Sequence, residues 1–385
     1  MRTLDQDLLD RVRSALADDP GPVTPGRVAA AVRSAGAVLG DVGLLEVAEA
    51  LRAELVGAGP LEPLLADPTV TDVLVNGAHG VWVDRGRGLE RVRVEVGGEQ
   101  AVRRLAVRLA AVAGRRLDDA SPYVDAQLPG GVRVHAVLAP IAEGTHLSLR
   151  VPHRRSLTVA DLVRLRALPP DWAAILEALV HARTALLVTG GTGSGKTTVL
   201  GTLLGLVPTG ERIVVVEDST ELRVDHPHVV RLQSRPPNVE GSGAVTMTDL
   251  VRQALRMRPD RLVVGEVRGA EVRELLAALN TGHEGGCGTV HANTASDLPA
   301  RLEALGALAG LNREAVHAQA RGAIEVVVHL QRVGGLRRVI EIGVVDRSTP
   351  GLVIVPGICA DPADPVHPGR RGAGWPWIAG RIGAS

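Results

Sequence analysis

Residues 185–198, ALLVTGGTGSGKTT, decide how this chain folds. An apolar run ends at Thr189 and passes into Gly190, Gly191, Thr192, Gly193, Ser194, Gly195, Lys196, Thr197 and Thr198. That stretch fits G-x-x-x-x-G-K-[ST], with a strand expected before it and a helix expected from Lys196. The glycines let backbone N–H groups wrap around phosphates, Lys196 adds a point charge, and the Thr197 hydroxyl suits a Mg²⁺ ion. The start of the helix contributes its positive end. Lys196 is also the only lysine of the chain; every other basic side chain is arginine. A position that stays lysine in such a background calls for a compact ammonium where a guanidinium fork would not fit.

Working outward, further apolar runs recur between helical segments at Ile213–Val216, Leu262–Val264, Gly288–Val290, Ile324–Leu330 and Val339–Val345. Strands alternating with helices predict an α/β domain with a parallel sheet. In such sheets the ligand crevice lies at the carboxyl ends of the strands, so the residues that close each run matter most. IVVVEDSTEL ends in Glu217, Asp218 and Glu221, carboxylates suited to orient a water or hold Mg²⁺ through one. LVVGEVRG ends in Glu266, where many nucleoside triphosphatases place Asp; it could hold Mg²⁺, act as base, or cap the following helix. GHEGGCGTVHANT places His283 and His291 around Cys287. Two His and one Cys make a thin metal site, and the reading preferred is hydrogen bonding near a γ-phosphate. Arg133 and Arg150, on expected strands earlier in the chain, and Arg256, Arg258 and Arg268 are candidate arginine fingers.

The 385 residues lead to an expectation of two large domains with appendages. Residues 1–57 read as a helical leader of three amphipathic helices, the first opened by the capping pair Thr3 and Gln6, the second by Thr24 and Pro25. Residues 58–151 mix short strands with one helix and read as a small α+β domain. Residues 152–157 form an expected hinge, 158–356 the α/β domain, and 357–385 a Pro/Gly-rich tail expected to be disordered. Apolar residues make up 45% against 1% aromatic, with no Phe, so the cores must be aliphatic. The 43 basic and 43 acidic residues cancel, unlike a protein that grips nucleic acid by bulk charge, and base-stacking aromatics are few. Two cysteines provide neither a disulfide framework nor a four-cysteine zinc site. No apolar run approaches the roughly 18 residues of a membrane span.

Taken in order, GGTGSGKTT, VVEDSTEL, RMRPDRLVVGEVRG and NTGHEGGCGTVHANT resemble the type II/IV secretion ATPases. GAGPLEPLLADPTVTDVLVNG (57–77) is similar to the opening of the N-terminal domain in the Tad-pilus branch. The resemblance implies a RecA-like C-terminal ATPase domain, a PAS-like N-terminal domain and a homohexameric ring. It implies ATP and Mg²⁺ as ligands, a polytopic inner-membrane platform protein as partner, and a location at the cytoplasmic face of the membrane. It casts Gly190–Thr198 as the Walker A loop, Glu217, Asp218 and Glu221 as an acidic box, Glu266 as Walker B, and His283 and His291 as a His box. Arg133 and Arg150 fall where N-terminal arginines of that family reach nucleotide phosphates. The four-cysteine zinc element of some members is missing, so no metal beyond Mg²⁺ is expected. Direct contact with nucleic acid is not expected either. The rival readings are a DNA translocase or conjugal-transfer motor on the same core, and a nucleotide-gated scaffold without hydrolysis.

Overall fold

The computed structural model describes residues 11–12, 14–15, 25–36, 57–86, 88–152, 156–237, 241–361 and 369–383. The chain divides into two compact units between Arg154 and Arg155. Of the leader, the second helix is described, as α1 (Pro25–Ser34), and Arg11, Val12, Ser14 and Ala15 are helical; the rest of the first helix and the third lie outside the described residues. Among the described residues no helix is long and apolar enough to cross a membrane.

The first unit is built on a six-stranded antiparallel sheet. Its strands are β1 (Asp72–Asn76), β2 (Val81–Asp84), β3 (Leu89–Val92), β4 (Tyr123–Gln127), β5 (Arg133–Val137) and β6 (His146–Arg150), in the order β3-β2-β1-β6-β5-β4. A short helix, α2 (Glu62–Ala66), precedes them, and α3 (Glu99–Val112) lies between β3 and β4 in sequence. Alternation sets one face of the sheet inward: Val73, Val75, Val81, Val83, Val134, Leu147 and Leu149 share a core with Val102, Ala106 and Leu109 of α3. The alternation of Val92, Val94 and Val96 suggests a strand there, but β3 covers Leu89–Val92, the stretch that pairs with Val81–Asp84.

The second unit carries a nine-stranded sheet. Six strands are parallel: β7 (Leu186–Gly190), β8 (Ile213–Glu217), β9 (Val229–Gln233), β10 (Arg261–Val267), β11 (Cys287–Val290) and β12 (Val326–Val333). Three antiparallel strands extend it, β13 (Leu336–Asp346), β14 (Val353–Cys359) and the two-residue β15 (Arg370–Arg371), giving the order β15-β14-β13-β12-β7-β11-β10-β8-β9. Strands covered on both faces read as unbroken apolar runs, which is why β7 and β8 are buried at every residue. One face packs α5 (Pro170–His181) and α6 (Lys196–Leu204) through Trp172, Leu176, Leu179, Leu200 and Leu203; short α4 (Val159–Arg164) precedes them. The opposite face packs α7 (Met247–Ala254), α8 (Val272–Asn280), α9 (Leu298–Leu308) and α10 (Arg313–Ala323).

The region after 356 corrects the expectation of a disordered tail. β14 continues to Cys359, and Trp375–Ile382 forms helix α11, with Pro at its first turn where the missing N–H costs nothing. Ile378 is fully buried in the core shared with α5, Trp375 and Trp377 pack against it, and Arg371 lies over the Trp375 ring. The two Trp are visible in the sequence as residues able to dock, while Pro and Gly abundance concealed the apolar anchor Ile378. Ile378→Ala should therefore cost about 2–4 kcal/mol and lower the melting temperature of the second unit by several degrees in calorimetry. Leu308→Ala, on a side chain 69% exposed, should stay within about 0.5 kcal/mol.

Candidate functional site

The carboxyl ends of β8, β10, β11 and β7 lie side by side, and their last residues or the loops after them carry the polar side chains of the second unit. β7 runs into the Gly190–Thr198 loop, and α6 starts at Lys196. Gly195 holds the position before the helix at φ 97°, in the left-handed region that a side chain rarely adopts. At Gly190 a Cβ would stand 2.5 Å from the Leu330 carbonyl oxygen and 2.6 Å from Ser194 Oγ. Glycine there lets the loop press against β12.

Lys196 is 7% exposed, and its Nζ donates to the carbonyls of Gly190 and Gly191, both at 3.0 Å. The ring nitrogens of His291 lie 3.4 and 3.5 Å from the same Nζ. Burial pushes the ammonium's pKa below the usual lysine range; Glu266 opposes that, Arg268 adds to it, and Glu221 opposes it. An ammonium so placed is poorly solvated and gains from an anionic ligand.

Glu266 projects near the end of β10 at a break in the ladder. Val264 pairs with Gly288 and Val267 with Val290, so β10 has one residue more than β11 across this interval. Such a bulge re-aims side chains, and Thr289 Oγ1 fixes it by donating to the Gly265 carbonyl at 2.6 Å. The Glu266 carboxylate contacts the Arg268 guanidinium through one oxygen and His291 Nε2 through the other. His291 has its pKa lowered, first by burial and then by Lys196, against the pull of Glu266. Its contact with Glu266 is therefore that of a neutral ring beside a carboxylate, not an ion pair. Lys196, His291, Glu266 and Arg268 form one continuous polar chain.

Glu217 ends β8 and is turned differently. Its Oε1 accepts from the amides of Glu221 at 3.1 Å and Leu222 at 2.7 Å. The side chain crosses β10 at Gly265, where a Cβ would come within 2.5 Å of Glu217 Cγ. Burial raises its pKa, and the two amides pull the other way. The carboxylates that act on Lys196 are Glu266 and Glu221, while Glu217 ties down the turn that carries Glu221. Asp218 accepts from Ser234 Oγ at 3.1 Å, on the β9 side of that turn.

The other expected site residues lie elsewhere. His283 Nδ1 is 3.3 Å from the Ala278 carbonyl at the end of α8. Cys287 is buried in β11, its thiol pushed up to about 12 by burial, and among the described residues no His, Cys, Asp and Glu cluster could hold a metal. In the first unit Arg133 grips Asp125 with two nitrogens, at 2.9 and 2.5 Å, and Arg150 Nε is 3.3 Å from Asp72. The two arginines are direct cross-strand partners on β5 and β6. Two residues near the loop escaped the sequence reading. Arg337 of β13 donates to the Gly193 carbonyl at 2.8 Å, with nothing to single it out in an arginine-rich chain. His329 of β12 lies 2.9 Å from Thr189 Oγ1; a lone His inside VVVHL was the available signal.

The chain's likeness to known proteins agrees with this geometry. The family model "Type II/IV secretion system protein" matches residues 54–337. A putative conjugal transfer protein of Mycobacterium tuberculosis is 56% identical over 319 residues, 81% of this chain and 91% of the relative. The type IV secretion system protein PtlH of Bordetella pertussis is 34% identical over 314 residues, 73% and 92% of the two chains. The pilus retraction motor PilT, solved with ADP, matches at TM-score 0.52 and 20% identity over 77% of this chain and 80% of its own, a likeness of fold. With its matched span and these identities, the chain belongs to the type II/IV secretion system family of ATPases.

Proposed function

We propose that this chain is an ATP-hydrolysing motor of a secretion or pilus-assembly machine, working with ATP and Mg²⁺. The observation that carries this is the placement of a buried lysine, a neutral histidine and a carboxylate in one chain of contacts around a glycine-rich loop. The residues present fit a triphosphate: Lys196 is under-solvated, and Ser194 Oγ is buried with no protein partner. Gly190–Lys196 would hold the phosphates by backbone amides and the ammonium, while Thr197 and Glu266 would serve Mg²⁺, which supplies charge neutralisation on the phosphates. Glu266 orients the attacking water, with Arg268 and His291 fixing its two oxygens. His291 touches both Lys196 and Glu266, so it is placed to report the γ-phosphate to the carboxylate. Glu217 fixes the acidic turn that carries Glu221.

Within this reading the second unit is RecA-like, the first PAS-like, and the chain works as a homohexamer at the cytoplasmic face of the membrane, on a polytopic platform protein. Arg133 and Arg150 deliver positive charge to the phosphates when the first unit closes about residues 152–157, a hinge closure biased by ligand contacts. The single contact of Arg150 with Asp72 is exposed and exchangeable, whereas Arg133 would have to leave a two-pronged grip on Asp125. The similarity of residues 57–77 to the Tad-pilus branch favours pilus assembly. A second reading, a conjugal-transfer motor acting on DNA, is favoured by the name of the Mycobacterium tuberculosis relative. Zero net charge and scarce aromatics weigh against direct DNA contact.

Steady-state hydrolysis and nucleotide binding test the assignments together. Lys196→Ala should abolish turnover. Glu266→Gln should cut kcat by about 100-fold or more while keeping nucleotide affinity, and Glu217→Gln should lose less. Equal losses at both glutamates would remove Glu266 from its place as water-orienting group. Arg133→Ala and Arg150→Ala should reduce kcat steeply, by up to about 1,000-fold, and spare binding; normal turnover in both would contradict domain closure. Stimulation of hydrolysis by added DNA would favour the conjugal-transfer reading.

A further inference from the structure

The β12–β13 hairpin outruns the sheet beside the glycine-rich loop. β7 ends at Gly190, opposite Leu330, yet β12 and β13 stay paired through Gln331–Arg338, Arg332–Arg337 and Val333–Leu336. Gly334 and Gly335 close the hairpin at φ 56° and 83°, a two-residue turn with both positions left-handed that matches the twist of paired strands. The segment QRVGGLRR (331–338) carries three arginines and no acid. Arg332 and Arg337 stand directly opposite each other, an arrangement of like charges that by itself destabilises a strand pair. Arg338 faces the other way; it is 4% exposed, and its Nη2 is buried without a partner. Among the described residues none of the three guanidinium groups has an ion pair. A guanidinium cannot shed its charge, so the hairpin presents positive charge that the chain leaves uncompensated on both faces.

Arg337 ties this charge to the glycine-rich loop. Its Nε donates to the Gly193 carbonyl at 2.8 Å, which leaves both Nη nitrogens without a partner among the described residues. A Cβ at Gly195 would stand 3.5 Å from Arg337 Cδ and 3.7 Å from Arg337 Cβ, so the stem lies across Gly195 while the head reaches Gly193. Lys196 follows Gly195 directly and is the loop's own cation. A triphosphate brings several negative charges, more than one ammonium balances. We propose that the hairpin is a cationic arm for the nucleotide. Arg337, anchored through Nε, offers its two Nη donors to the phosphate tail, and Arg332 beside it adds charge that attracts the same anion. The inference rests on the nucleotide-binding part of the reading above and deepens it. Arg337 contacts the loop, and Glu266 has its own partners in Arg268 and His291, so loss of the arm acts on affinity and leaves kcat at saturation in place.

The test uses the full chain in wild type, Arg337→Met, Arg337→Lys and Arg332→Met. Three quantities are measured: Mg²⁺-dependent binding of a fluorescent ATP analogue, its displacement by inorganic triphosphate, and ATP turnover. Methionine keeps an unbranched stem and removes donors and charge; both positions are exposed, so the fold survives, and a melting curve checks it. Arg337→Met should bind the analogue and inorganic triphosphate about 10-fold more weakly, with kcat at saturation within about 2-fold of wild type. Arg332→Met should lose about 3-fold in affinity, and Arg337→Lys should fall between wild type and Arg337→Met. Raising the salt from about 0.05 to about 0.5 M should narrow the gap between wild type and Arg337→Met, which a merely structural role would not do. Unchanged affinity in both methionine variants would overturn the proposal. So would a loss for the analogue that spares inorganic triphosphate, or a gap that salt leaves untouched. Weaker binding of single-stranded DNA in Arg337→Met, with nucleotide affinity intact, would overturn it as well. A wild-type chain that binds the analogue and never turns over ATP would instead sink the ATPase reading and leave the arm standing.

Discussion

The second unit depends on holding one ammonium under-solvated at the edge of a parallel sheet. Lys196 has two loop carbonyls and a neutral imidazole around it, and no carboxylate oxygen within hydrogen-bond reach among the described residues. A buried cation with such partners is poorly compensated until an anion arrives. Everything near it serves that condition. β7 supplies the approach, Gly190 and Gly195 supply the tight path, and α6 adds the positive end of its backbone. The carboxylates stand back, felt through the field but anchored on Arg268 and His291 or at the β8 turn.

Strand order turns these local devices into one site. Four strand ends that are distant in sequence become neighbours because the parallel sheet places β8, β10, β11 and β7 in succession. A bulge at Gly265–Glu266 then re-aims a carboxylate that strict alternation would have set squarely on one face of the sheet. Gly265 also makes room for Glu217, so the backbone of β10 serves both acids.

Much of this was legible in the sequence because its signals are local. The glycine-rich motif at 190–198 has fixed spacing, and doubly covered strands read as unbroken Val, Ile and Leu runs. Orientation was not legible. Glu217 and Glu266 look alike on paper, each a glutamate closing an apolar strand, yet Glu217 faces the amides of its own turn and Glu266 faces His291. The difference arises from a bulge and a glycine on a neighbouring strand, information that is not local. His283 and His291 share one Gly-rich stretch, but only His291 follows a strand to its carboxyl end. Short β9 lacks a clean apolar pattern because it is an edge strand, and α11 hides its anchor Ile378 among Pro and Gly.

The chain's single lysine allows its central claim to be measured directly. With ¹³C at lysine Cε, nuclear magnetic resonance shows one side-chain signal, that of Lys196. The account predicts that this signal titrates below an ordinary lysine in the free protein. It further predicts a saturable shift and a higher pKa when a non-hydrolysable ATP analogue is added with Mg²⁺, as the phosphates stabilise the charge. A signal that titrates normally and stays unmoved at saturating nucleotide would contradict it.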